Sequence, residues 1–365
     1  MTVKKVLIHG ATMGTNFGDF LFADLFYNYV VQIVGEENVA FYESRFAFSE
    51  FFRTHLDYKN KYKKESINEA EILIYIPGGY FGEWISNFRE NLYRYLRYFV
   101  IGREFIRKKK KIIIIGVGAG PLTSKILQRS AKHIFEYANL VVVRDEMSKK
   151  YMLTYGVRKD IKVTADAAQI IQKDYFAEYS NSRQVTSLFL DGYKTIFLHV
   201  NPTNNDLIIQ KIIPAVKQFL NRHEEYKVII GCDQYNKEQK IVLNDLERRF
   251  TLYNCAVYYY EYPKELCALL SRVDFVITTK LHVGIVASTL GKAVVSIAGH
   301  YNKIKRYYTQ IGEDNRCIEL ETSNTEDIYN LIETYYMKPI LIPKQILEDA
   351  QKNFEYLKEY LEENF

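Results

Sequence analysis

TTKLHVGIVASTLG, residues Thr278 to Gly291, follows the apolar run Phe275-Val276-Ile277 and precedes Ala293-Val294-Val295-Ser296-Ile297. The order is that of a strand, a sharp turn, a helix and a second strand. The first strand is expected to end near Thr278, with Thr278 or Thr279 capping a helix whose inner face carries Leu281, Ile285 and Val286. Lys280 and His282 then fall at the helix N-terminus, where unpaired backbone N–H groups and the positive dipole end favour an anion. A cation, an imidazole and free amides at one strand end can hold a phosphate or carboxylate with a proton donor beside it. So short a motif also arises by chance, with His282 packed and Lys280 solvated. Its meaning depends on the rest of the chain.

The same alternation runs through the sequence. Val3 to His9 reads as a strand buried on both faces, followed by Gly10-Ala-Thr-Met-Gly14-Thr-Asn16-Phe-Gly18-Asp19 and a helix to about Val34. The glycine spacing departs from G-x-G-x-x-G, which excludes a dinucleotide fingerprint. Asn16 and Asp19 either offer hydrogen bonds to ligand hydroxyls or serve as turn residue and helix cap. Further strands are expected over Val39–Ser44, Glu71–Ile76, Lys111–Gly116, Leu140–Val143 and Lys162–Thr164, with a long helix over Phe88–Lys110. Gly78-Gly79 ends the third strand, at a tight backbone bend or a close ligand approach. The polar stretch 172–193 is expected to link two domains. After it the alternation restarts with strands at Thr195–Val200, Lys227–Cys232 and Ala256–Tyr260, a helix bent at Pro214 and another opening at Pro263. Gly299 to Lys303 reads as a strand-end loop, and Lys344 to Phe365 as a terminal helix.

This predicts an α/β protein of two Rossmann-like domains facing a central cleft, glycosyltransferase-B-like, with the C-terminal helix packing back on the N-terminal domain. Residues 1–180 form the acceptor-side domain, 190–340 the donor-side domain and 341–365 the helix. The 365 residues suit two cores, and 48% hydrophobic residues interleaved with charges indicate a soluble chain. No apolar run reaches the roughly 18 residues of a membrane span, and MTVKKVLIHG enters a strand directly without a leader-like core. A cytoplasmic location is expected. Cys232, Cys255, Cys267 and Cys317 are too scattered for zinc or a disulfide framework, and no metal site is expected. A net charge of +5 gives little support for nucleic-acid binding.

Taken as an ordered set, several motifs resemble those of the polysaccharide pyruvyl transferase family. They are Asn16-Phe17-Gly18-Asp19, Gly78-Gly79, Gly116-Val117-Gly118-Ala119-Gly120-Pro121, Val143-Arg144-Asp145 with Ser148, Asp166-Ala167-Ala168, and Thr279-Lys280-Leu281-His282 followed by Ala287, Gly291 and Lys303. The resemblance spans about residues 5 to 305. It implies transfer of the pyruvyl unit of phosphoenolpyruvate to two hydroxyls of a polysaccharide sugar or its precursor, giving a cyclic ketal and phosphate without a cofactor. It also implies His282 as proton donor to the methylene carbon, and Lys280, Arg144, Thr279, Asn201 and Lys303 as donor-binding residues. Asn16, Gly18, Asp19, Gly78, Gly79 and Glu83 would bind the acceptor, a saccharide or lipid-linked oligosaccharide, which is compatible with work at a membrane surface. Lys280 stands where the family usually has arginine, and Asn201 ends a strand that often ends in arginine there. Two other readings remain: a glycosyltransferase of the same architecture using a nucleotide sugar, and a non-catalytic carbohydrate-binding homologue.

Overall fold

The computed structural model describes residues 5–44, 48–56, 58, 66–82, 87–189, 192–201, 205–236 and 238–365. Among the described residues twelve parallel strands form two six-stranded sheets, one in each of two compact units. Residues 1–167 with 345–365 make the first unit and residues 168–344 the second.

In the first unit, β1 (Lys5–His9), β2 (Val39–Phe41), β3 (Ala70–Tyr75), β4 (Lys111–Val117), β5 (Leu140–Val143) and β6 (Lys162–Val163) lie in the order β2-β1-β3-β4-β5-β6. β4 shows why: Lys-Ile-Ile-Ile-Ile-Gly-Val is buried from its second residue onward, as a strand covered by helices on both faces must be. The segment expected as one helix over Phe88–Lys110 is helical over Phe88–Arg107, with a wider π turn at Tyr95–Phe99.

The C-terminal helix, Lys344–Asn364, belongs to this unit. Phe354 stacks on Phe26 at 4.7 Å. Asn353 is fully buried, donates to Ala165 O at 2.9 Å and accepts from Thr164 Oγ1 at 2.9 Å. Its amide lies against Gly116, where φ is +60° and a Cβ would sit 2.8 Å from Asn353 Oδ1. Only glycine meets both demands.

In the second unit, β7 (Lys194–His199), β8 (Tyr226–Gly231), β9 (Cys255–Tyr258), β10 (Phe275–Thr278), β11 (Ala293–Ala298) and β12 (Cys317–Glu319) lie in the order β12-β11-β10-β7-β8-β9. Read from the other edge this is the Rossmann order 3-2-1-4-5-6, with its switch point between β7 and β10. The bend expected at Pro214 takes the form of a π turn at Ile208–Ile212, where Ile213 N–H reaches back to Ile208 O and Pro214 opens the next helical segment.

Three expectations need correcting here. The stretch 172–193 carries helical turns at Lys173–Tyr179 and a short helix at Arg183–Ser187, and the chain divides upstream of it at Ala167. Gln184 anchors it to the second unit, donating to Glu265 Oε2 at 2.8 Å and accepting from Tyr259 N at 3.1 Å. The helix Leu281–Thr289 has no outer face: every residue from Leu281 to Ser288 is buried. It packs against the helix Tyr301–Gln310, which begins inside the segment expected to be a loop.

Candidate active site

The second unit gathers its polar chemistry at the carboxyl ends of β7, β8, β10 and β11. His199 and Thr278 end β7 and β10 and are register partners across the switch point. Their side chains meet, with Thr278 Oγ1 2.9 Å from His199 Nδ1. Neither threonine caps the following helix. Lys280 occupies the cap position in extended conformation, and its N–H turns back to Thr278 Oγ1 at 3.1 Å. The Thr279 hydroxyl is buried and makes no hydrogen bond among the described residues.

Lys280 Nζ donates to Asp233 Oδ1 at 2.7 Å, just beyond the end of β8. The same carboxylate oxygen lies 3.4 Å from His199 Nε2, a long contact. Burial opposes charge on Asp233, yet Lys280 and His199 together hold its carboxyl well below the usual range. Burial pushes the His199 imidazole pKa down against the pull of Asp233. His282, 8% exposed, sits in the first turn of the helix. His300 and Lys303 open the neighbouring helix after β11, and burial, then Lys303 and Lys280, lower the His300 pKa. Asn201 follows β7. Four of the expected donor residues, Thr279, Lys280, Asn201 and Lys303, are thus at one sheet edge with His282.

The fifth is not. Arg144 follows β5 in the first unit, buried, with Nη1 3.1 Å from Asp166 Oδ2 and Nε 3.7 Å from Asp145 Oδ2. Gly118 makes room for the guanidinium, since a Cβ there would stand 2.7 Å from it. Asn16 is the helix cap, accepting from Gly18 N at 3.0 Å, and Asp19 lies in the first turn of that helix, Phe17–Val34. Gly78 and Gly79 bind neighbouring backbone through their carbonyls, Gly78 O accepting from Gly118 N at 2.8 Å and Gly79 O from Gly82 N at 3.2 Å. Glu83 lies outside the described residues.

A sequence-family model for polysaccharide pyruvyl transferases matches residues 16–301. The chain belongs to the polysaccharide pyruvyl transferase family. No curated protein matches it significantly. Among solved structures, this pyruvyl transferase family chain is similar over 99% of its length to all of the UDP-GlcNAc 2-epimerase of Neisseria meningitidis bound to UDP-GlcNAc, at 14% identity and TM-score 0.63. The UDP-GlcNAc 2-epimerase of Methanocaldococcus jannaschii in complex with UDP-GlcNAc and UDP aligns at 11% identity and TM-score 0.60, covering 98% of this chain and 99% of its own. An Anabaena protein, HepE, in complex with UDP-glucose aligns at 13% and TM-score 0.54, covering 98% of each. Identities this low establish a shared fold, the glycosyltransferase-B-like pair of Rossmann domains. Among the described residues no helix is long and apolar enough to cross a membrane, and no three His, Cys, Asp or Glu side chains group as a metal site.

Three residues of this site escape sequence reasoning: Asp233, His199 and His300. Asp233 had a signal, since Gly231-Cys232-Asp233 ends an apolar strand as Asp145 and Asp166 do in the first unit. His199 is masked by its apolar neighbours Leu198 and Val200.

The first unit of this family member has its own buried imidazole at the β1–β3 switch point. His9 ends β1 and is ringed by Tyr42, Tyr75, Tyr98 and Tyr80 at 5.2 to 6.4 Å between centroids. Burial lowers its pKa to about 3. Between that value and the ordinary histidine pKa the unfolded chain binds more protons than the folded one, so stability falls as pH falls. From pH 7 to pH 5 the loss from His9 is about 2 kcal/mol. Urea unfolding at the two pH values should show it, and His9→Phe should flatten the difference.

Proposed function

We propose that the protein transfers the pyruvyl group of phosphoenolpyruvate to two hydroxyls of a saccharide, forming a cyclic ketal and releasing phosphate. The observation that carries this reading is the edge of the second sheet, where Lys280, Lys303, His282 and His300 meet two helix N-termini. Phosphoenolpyruvate has a carboxylate and a phosphate close together, and such an edge offers cations and backbone amides to both. His282 delivers a proton to the methylene carbon, which becomes the methyl of the product. The adjacent carbon, left oxocarbenium-like, takes a sugar hydroxyl. Phosphate leaves with the C–O bond electrons, the second hydroxyl closes the ring, and of the two hydroxyl protons one restores His282 and the other leaves with phosphate. The strand-end loops of the first unit, with Asn16, Asp19 and Gly78-Gly79, are the proposed acceptor-binding elements. No cofactor enters this scheme.

Thermal shift tests the donor. Phosphoenolpyruvate is expected to raise the melting temperature, and UDP-, GDP- and CMP-sugars to leave it unchanged. The reverse pattern would turn the assignment to a nucleotide-sugar transferase. Product is expected as a pyruvate ketal by mass spectrometry, with stoichiometric phosphate. A protein that releases no phosphate with any galactose, mannose or N-acetylhexosamine acceptor would favour a non-catalytic carbohydrate binder.

A further inference from the structure

We infer that Asp233 is a positioning residue that grips Lys280 at both ends, its ammonium directly and its backbone through His199 and Thr278. The inference rests on the donor-site reading above and adds a residue that the sequence motifs do not contain.

Three hydrogen bonds and one longer contact, in which His199 Nε2 makes no hydrogen bond among the described residues, trace a ring. Asp233 Oδ1 accepts from Lys280 Nζ at 2.7 Å and faces His199 Nε2 at 3.4 Å. Across the imidazole, His199 Nδ1 lies 2.9 Å from Thr278 Oγ1, and that hydroxyl accepts the Lys280 N–H at 3.1 Å. One arrangement of protons serves every member. A carboxylate only accepts, so the neutral imidazole carries its proton on Nε2. Nδ1 is then an acceptor and takes the Thr278 O–H, which leaves a lone pair of that oxygen for the Lys280 amide. The competing acceptor for the Thr278 proton, Lys280 O, is farther away at 3.2 Å.

The ring is built from three strand ends, and all four residues are largely buried, with Asp233 3% and His199 0% exposed. A carboxylate buried this far is costly unless it is paired on more than one side. What it achieves here is geometric. The Lys280 amide is turned toward Thr278, which leaves the amides of Leu281, His282 and Val283 as the donors of the helix N-terminus. The Lys280 ammonium, on a stem with four rotatable bonds, is fixed before any anion arrives. Preorganising the groups that meet a ligand lowers the ordering cost of binding. An arginine at 280 would bring a planar fork needing two acceptors, whereas a single carboxylate oxygen suits a point charge.

The test is a double-mutant cycle on donor KM. Asp233→Ala is expected to raise the KM for phosphoenolpyruvate about tenfold, with kcat changing less than about threefold. In a Lys280→Met background the same replacement is expected to change KM less than about twofold, because the residue through which it acts is gone. Equal effects in both backgrounds would reduce Asp233 to a general stabiliser of the fold. A KM that falls on removing Asp233 would show the carboxylate competing with the donor for Lys280, and would also overturn the inference. If Asp233→Ala does not fold, Asp233→Asn keeps the shape and carries the same cycle.

A second readout does not need the donor. Nitrogen-15 NMR of wild-type protein is expected to show His199 neutral with its proton on Nε2. An Nδ1–H tautomer or an imidazolium at neutral pH contradicts the ring. Wild-type protein that binds no phosphoenolpyruvate yet shows the Nε2–H tautomer would remove the donor assignment and leave the grip on Lys280 standing.

Discussion

Replacing His282 by glutamine or alanine is expected to lower turnover of phosphoenolpyruvate by about 10² to 10⁴, the range a positioned general acid contributes. The proposed reaction demands an acid at carbon. The methylene of the donor must become a methyl, and carbon is protonated slowly unless an acid is held over it. Of the residues gathered at the second sheet edge, His282 is the one at the first turn of the helix Leu281–Thr289, beside the amides that would hold the donor anion. His199 is bound to Thr278, and burial, then Lys303 and Lys280, lower the His300 pKa. His282→Gln is the more informative variant because it retains size and hydrogen-bonding capacity. Its thermal unfolding should stay near wild type while phosphate release collapses, and donor KM should change far less than kcat. Turnover within a few-fold of wild type would end the assignment of His282 as the acid.

What could be read from residues alone divides by the kind of signal. Strands such as Lys111–Val117 and Ala293–Ala298 are continuous apolar runs between polar turns, and such runs have few other ways to be buried. The strand order is different. Nothing in the residues of β10 states that it returns beside β7, yet that return makes His199 and Thr278 neighbours. The helix Leu281–Thr289 was readable as a helix but not as one buried all round, because its Gly284 and Ser288 look polar or small in a sequence. In place they allow close packing, with Ser288 Oγ donating back to Gly284 O at 2.7 Å and Gly284 facing Tyr308. Lys280 shows the remaining limit. Its charge and its place at a strand end were visible, but its partner lies 47 residues away, just beyond the end of another strand. Pairings over such distances are set by topology and leave no local pattern.

Arg144 is where family resemblance and local physics ask different things of one side chain. The resemblance places it on the donor, while the structure pairs it with Asp166 at 3.1 Å, with both side chains under a tenth exposed. Breaking such a pair from one side strands a charge in a poor solvent. Asp166→Ala is therefore expected to destabilise the protein by about 3 to 5 kcal/mol, measured by urea unfolding. Removing both charges together is a milder change, since well-packed apolar groups can replace a buried pair at little net cost. Arg144→Met with Asp166→Leu should recover most of the loss, and the shortfall from additivity measures the coupling. A loss below about 1 kcal/mol for Asp166→Ala would mean that the guanidinium has another adequate partner, Asp145 at 3.7 Å being one candidate. The double variant also separates the two roles. If the pair is structural, it should fold and keep its donor KM. If Arg144 also meets the donor, KM should rise at least about tenfold in a protein whose stability has been restored.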